Sequence, residues 1–152
     1  MARGGKMIYD QKSFRLKQEE ITHPWYVIDA DNQILGGLAT RVAILLTGKN
    51  DPRYTPGVDS GAFVVIVNAE KIQMTGQKWD QKIYVRHTKH PGNAKELVAK
   101  DALKKKPGFI IEKAVKRMLP KNRMGLKLIK RLKVYAGTEH PHPAQKPVEI
   151  KL

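Results

Sequence analysis

The chain has 152 residues, no cysteine, and 29 Lys and Arg against 14 Asp and Glu, for a net charge of +15. That length suits one domain able to bury its own core, and the lack of cysteine excludes disulfides and thiolate metal sites. The longest apolar run, Ala62 to Val67, is far short of the ~20 residues that span a bilayer, and the first residues lack the apolar core of a secretory signal, so a cytoplasmic protein with no membrane partner is expected.

The charge is confined to one part of the chain. Residues 1–77 carry nine basic and eight acidic side chains, residues 78–135 eighteen and four, and residues 136–152 two and two. Within the middle part, Lys104 to Tyr135 sets twelve cations against the single acid Glu112 and interleaves them with Phe109, Ile110, Ile111, Val115, Leu128 and other apolar residues. A disordered basic tail would lack those apolar positions. So one-sided an excess repels itself in a compact state and implies a polyanionic partner. Nucleic acid leads; a membrane surface fits less well, because no amphipathic face bearing Trp and Phe accompanies the cations.

In chain order, residues 1–22 form an N-terminal extension with few apolar positions, ordered, if at all, by a partner, and residues 23–152 form the domain. Trp25 to Asp29 is an aromatic and β-branched run without alternation, as in a strand buried on both faces. Leu35, Leu38, Ala39, Val42, Leu45 and Leu46 follow helical spacing up to a stop at Gly48. The run Ala62 to Val67 makes a second central strand, and strand, helix, strand calls for parallel pairing. Ala69 to Met74 reads as one short helical turn. Gln81 to Thr88 alternates, with Ile83 and Val85 on one face, and reads as a strand nearer an edge. Asn93 is placed to cap a helix over Ala94 to Lys105. Pro107-Gly108 breaks it, a helix follows from Phe109 to Leu119, then a loop from Pro120 to Gly125, a helix from Leu126 to Arg131 and a strand from Lys133 to Ala136. Pro141, Pro143 and Pro147 exclude a helix from the tail.

Few residues suggest catalysis. Gly36-Gly37 opens a helix after a strand, where a dinucleotide fold places its phosphate loop, but the G-x-G-x-x-G spacing is not met; close helix packing is the plainer role. His87 with His90, and His140 with His142, could converge on a metal ion, yet no cysteine or clustered carboxylate completes either shell, and neither a metal nor another cofactor is expected. Ser13 and Ser60, the only serines, lie outside any nucleophile elbow. Asp29 and Asp59 read as caps. Binding needs only what the sequence has in quantity: Lys and Arg to neutralise phosphates, planar side chains such as Trp79, Tyr84, Arg86, His87 and His90 to stack on bases, and Gly and Pro that let the backbone approach a phosphate. Neither a helix-turn-helix nor a zinc-finger pattern of a DNA reader is present.

Eight separated motifs carry a resemblance: WYVIDA at Trp25–Ala30, LGGLAT at Leu35–Thr40, YTPGVDSG at Tyr54–Gly61, Val67-Asn68-Ala69, Thr75-Gly76-Gln77-Lys78, HTKHPG at His87–Gly92, RMLPKNRMG at Arg117–Gly125, and LKVYAGTEHPHPAQ at Leu132–Gln145. From about residue 20 onward the chain resembles the bacterial L-thirteen family of large-subunit ribosomal proteins. The resemblance implies a three-layer α/β/α domain around a mostly parallel four-stranded sheet. It also implies a non-enzymatic role in the cytoplasmic ribosome: binding large-subunit (23S-type) rRNA beside neighbouring ribosomal proteins, without homo-oligomers. The chain departs from the family pattern at Gly37, Ala62, Lys89, Asn93 and Leu126. The candidate RNA contacts are Arg86, His87, Lys89 and His90 in one loop; Lys116, Arg117, Lys121, Asn122, Arg123, Lys127, Lys130 and Arg131 around another; and Lys133 and His140. A nucleotide-binding α/β enzyme and an mRNA-binding regulator are the alternatives.

Overall fold

Residues 14–88, 90 and 92–150 are described by a computed structural model. The elements in chain order are β1 (Trp25–Asp29), α1 (Leu35–Thr47), β2 (Phe63–Val67), α2 (Lys78–Gln81), β3 (Ile83–His87), β4 (Ala94–Val98), α3 (Ala99–Lys105), α4 (Pro107–Met118), α5 (Arg123–Lys130), β5 (Leu132–Val134) and β6 (Val148–Glu149). Short 3-10 turns lie at Gln18–Glu20, Ala69–Lys71 and Pro143–Gln145.

The two apolar runs lie side by side at the centre of the sheet, with Tyr26 opposite Val64 and Ile28 opposite Ile66. β5 adds beyond β2 and β6 beyond β1, giving the order β5-β2-β1-β6 with every pair parallel. Successive strand residues alternate between faces. Tyr26, Ile28, Val64, Ile66, Leu132 and Val134 share the face that joins the core with α1 and α4, and burial of a residue such as Ile28 or Ile66 contributes about 1.5–3 kcal/mol. On the opposite face the Trp25 and Phe63 rings stack at 4.4 Å, and His142 from the tail lies 5.2 Å from Trp25. Its Nε2 is 2.9 Å from the Tyr135 hydroxyl.

Helix α1 forms as its periodicity dictates: the six apolar positions are buried, and Gly48 closes it at φ 77, its N–H reaching the Ile44 and Leu45 carbonyls. No side chain fits there, because a Cβ would come within 2.9 Å of the Ser60 backbone. Asn68, at the end of β2, adopts φ 55 and donates its side-chain amide to Asp29 Oδ1 at 2.8 Å. The Asp31 N–H donates to the same oxygen at 2.9 Å. The Asn68 amide first, and then the Asp31 N–H, hold the Asp29 carboxyl below its ordinary range. Asp29 thus ties the ends of β1 and β2 together.

Several expectations are corrected. The segment 81–88 is not in the main sheet: β3 pairs antiparallel with β4 as a separate hairpin, and the fourth strand of the main sheet is β6, from the proline-rich tail. Within β3 the side that meets the core is that of Tyr84. Tyr84 is 8% exposed and meets Phe109 edge-on at 5.4 Å, while Ile83 and Val85 are half exposed at 50% and 51%. Asn93 does not cap a helix; its carbonyl accepts from the Thr88 N–H and hydroxyl across the hairpin turn, and the helix begins only at Ala99.

The glycines at 36 and 37 serve no close packing, since a Cβ at either meets nothing within 4 Å. In the extension, Leu16 is only 5% exposed and its N–H donates to Thr55 Oγ1 at 3.2 Å, so the domain itself holds the chain at Leu16. Residues 1–13 lie outside the described residues.

Candidate nucleic-acid interface

The basic surface is built along α4 and α5. Pro107 starts α4 at its first turn, where a missing N–H costs nothing, after Lys106 breaks from α3 with an extended backbone. Ile110, Ile111 and Val115 are buried, which turns Lys113, Lys116 and Arg117 outward, all exposed. Leu119, 4% exposed, pins the end of the helix and Pro120 prevents its continuation.

The turn that follows is tighter than the expected Pro120–Gly125 loop. Asn122 Oδ1 accepts the Gly125 N–H at 2.9 Å, a side-chain cap that satisfies one of the free donors of the first turn and starts α5 at Arg123. Gly125 is required by space: a Cβ there would fall on the Pro120 carbonyl. The corner leaves Lys121 and Arg123 exposed, with α5 fixed below by buried Leu128 and half-buried Met124 and Ile129. Lys127 and Lys130 continue the exposed row, and Lys133 is half-buried on β5.

Arg131 behaves differently. Its guanidinium donates to Asp59 Oδ2 at 2.7 Å and to the Gly61 carbonyl at 2.7 Å, lies 5.3 Å from the centre of the Phe63 ring, and leaves 13% of the side chain exposed. His23 packs beside it, its Nδ1 2.8 Å from the same carbonyl. Asp59, expected as a cap, is instead the partner of this arginine. Gly61 is forced by proximity, a Cβ there falling on the Leu46 carbonyl. This knot ties the loop before β2 to the end of α5.

The second basic segment is the hairpin. Arg86, His87 and His90 are exposed; Lys89 lies outside the described residues. Arg86 stands directly opposite Lys95, a like-charge pairing that destabilises a hairpin unless an anion offsets it. Lys95 escaped the sequence reading because Ala94-Lys95-Glu96-Leu97 are good helix formers; the Pro-Gly dipeptide at 91–92 after an alternating run is the available signal in the sequence. The hairpin is anchored by Tyr84 on Phe109, at the start of α4, whereas the Lys121 corner lies past its end. Ten residues of helix separate Phe109 from Leu119, about 15 Å at 1.5 Å per residue. The two segments therefore stand at opposite ends of α4, with Lys113, Lys116 and Arg117 along the helix between their anchors.

His140 belongs to neither segment. Its Nδ1 accepts the His142 N–H at 3.3 Å and its ring stacks on His142 at 6.4 Å, beside Trp25 and Tyr135. Among the described residues no group of three or more His, Asp or Glu is gathered as metal ligands, and no helix is long and apolar enough to cross a membrane. Among the same residues the basic row carries one ion pair besides Arg131–Asp59: Lys106 with Glu112 at 4.0 Å.

Residues 23–141 match the ribosomal protein L13 family. The chain belongs to that family. The large ribosomal subunit protein uL13 of Thermosipho africanus is 56% identical over 140 residues, covering 92% of this chain and 94% of the relative. That of Thermotoga maritima is 55% identical over 142 residues, 93% and 95% of the two chains, and that of Maridesulfovibrio salexigens 56% over 136 residues, 90% and 96%. Within this L13-family chain the matched span holds β1 to β5, both basic segments and the Asp59–Arg131 knot.

Proposed function

We propose that this protein is a structural, non-catalytic constituent of the large ribosomal subunit, resident in the cytoplasm, that binds 23S-type rRNA and supports subunit assembly and translation. The observation that carries this reading is family membership over residues 23–141, joined to a row of exposed cations on a rigid support. Assembly brings phosphates together, and their mutual repulsion must be offset. Lys116, Arg117, Lys121, Arg123, Lys127 and Lys130 do this from α4 and α5, with Lys133 at the adjoining strand, and Arg86, His87, Lys89 and His90 do it from the hairpin. Asn122 and Arg131 act by position: the first starts α5 and the second locks its end. His140 offers a planar ring to ribose or base. The exposed face of Ile83 and Val85 suits a neighbouring ribosomal protein, and one copy acts alone.

Sedimentation of a lysate through a gradient at moderate salt tests the reading. The protein is expected to travel with the large subunit in near-stoichiometric amount. Recovery mainly at the top of the gradient, or with messenger RNA free of subunits, overturns it.

A further inference from the structure

A groove of about 580 Å³ runs between α4 and the β5 edge of the sheet. Its volume falls within the range of pockets that take a small ligand. One wall carries Lys113 and Lys116 from α4, the other Lys130 and Lys133 from the end of α5 and from β5. Among the described residues none of these four lysines is paired with a carboxylate, and the one acid in the groove, Glu112, is turned to Lys106 at 4.0 Å. Between the walls the floor is apolar: Phe109 and Ile129 are half-buried. Tyr84 takes one edge of the Phe109 ring, and the Lys113 ammonium stands 5.5 Å from its centre.

Facing rows of four lysines against the single carboxylate of Glu112 are unfavourable unless an anion enters. Duplex RNA would offer such a groove only phosphate and ribose and leave the apolar floor unused, whereas a single strand can place a base on it and its phosphates on the lysines. We infer that this groove is a seat for an unpaired stretch of RNA, with the backbone held between the two lysine rows and a base lying on Phe109 and Ile129. The inference rests on the rRNA-binding reading and narrows it to a single-stranded element at this place. The competing use of the lysines is to blunt β5, an edge strand, against pairing with another chain.

The test titrates the full chain with a short oligoribonucleotide carrying 2-aminopurine, as a single strand and as a duplex of the same sequence. Wild type is expected to change the fluorescence of the single strand and to bind it more tightly than the duplex. Replacing one lysine from each wall, Lys113→Gln with Lys130→Gln, should weaken single-strand binding about fivefold or more and lower its logarithmic salt slope by roughly 1.4, the value for two phosphates on a single strand. Ile129→Thr should cut the fluorescence change and leave the salt slope in place.

Equal losses for single strand and duplex, or no fluorescence change with wild type, overturn the inference. So does unchanged affinity in the lysine variant accompanied by self-association, which assigns the lysines to edge protection. Sedimentation of wild type separates the two readings: a protein that travels with the large subunit but fails the oligonucleotide test keeps its ribosomal role and loses the groove.

Discussion

Arg123 and Arg131 stand at the two ends of one eight-residue helix and have opposite surroundings. Arg123 projects from the corner into solvent beside Lys121. Arg131 is turned inward, held by Asp59 and the Gly61 carbonyl against Phe63. In a basic protein a cation is thus not a binding residue by count; what decides is whether the fold supplies an acceptor before a ligand arrives. At the outward end the partner must come from outside, so removal should be read in affinity. At the inward end the partner is internal, so removal should be read in stability.

Substitution at the inward end should have the largest effect on folding. Arg131→Ala leaves Asp59 with one oxygen already buried and the other stripped of its donor, and breaking a buried pair costs 3–5 kcal/mol. With the two side chains 13% and 25% exposed, about 2 kcal/mol is expected here. Urea denaturation should show this, and the melting temperature should fall by roughly 4–8 °C for a chain this long. The RNA salt slope should stay unchanged. A flattened slope with an unchanged melting temperature would erase the distinction between the two arginines.

Asn122→Ala lies between the two cases. Loss of the cap bond to Gly125 should cost about 1 kcal/mol, seen as a smaller drop in melting temperature, and RNA affinity should weaken only as far as the corner loosens. At the outward end, Lys121→Ala with Arg123→Ala should change stability by less than about 0.5 kcal/mol while lowering the salt slope for single-stranded RNA by roughly 1.4. If that pair unfolds the protein, the corner is structural and the assignment of its cations fails.

The smallest effect belongs to Asp29. Its carboxyl titrates below the ordinary value near 3.8, so the unfolded chain binds the proton first as pH falls. The stabilising contribution is fully present above about pH 4 and is lost as pH drops through the depressed native value. Asp29→Asn should lower the urea midpoint slightly at pH 7, with the difference from wild type shrinking toward pH 2. A difference that grows on acidification would show that the carboxylate is not what Asn68 holds.

Much of the α/β frame was legible because its signals are local. The run Trp25 to Asp29, the spacing from Leu35 to the Gly48 stop and the run ending at Val67 state their own structure. What was lost depends on partners distant in sequence. Ala94 to Val98 has helical propensity and becomes a strand because β3 pairs with it; Ile83 and Val85 face outward because Tyr84 finds Phe109. Two residues at Val148 and Glu149 carry no periodicity and gain a strand only from the open edge of β1. The same holds for the interface. The cations of Lys116 to Lys130 were visible as a row, but nothing local marks Arg131 as internal, Asn122 as a cap, or Lys95 as the neighbour of Arg86.

The position of β6 has a consequence for synthesis. β1 emerges early and pairs with β2 on one side, but its other edge is closed only when Val148 and Glu149 arrive and the Ile150 N–H reaches the Val27 carbonyl at 2.9 Å. At roughly 5–20 residues per second the ribosome takes on the order of ten seconds to cover that distance. Throughout that interval the nascent chain carries a bare parallel edge beside Trp25 and Tyr26, a template for mispairing that the tail removes last.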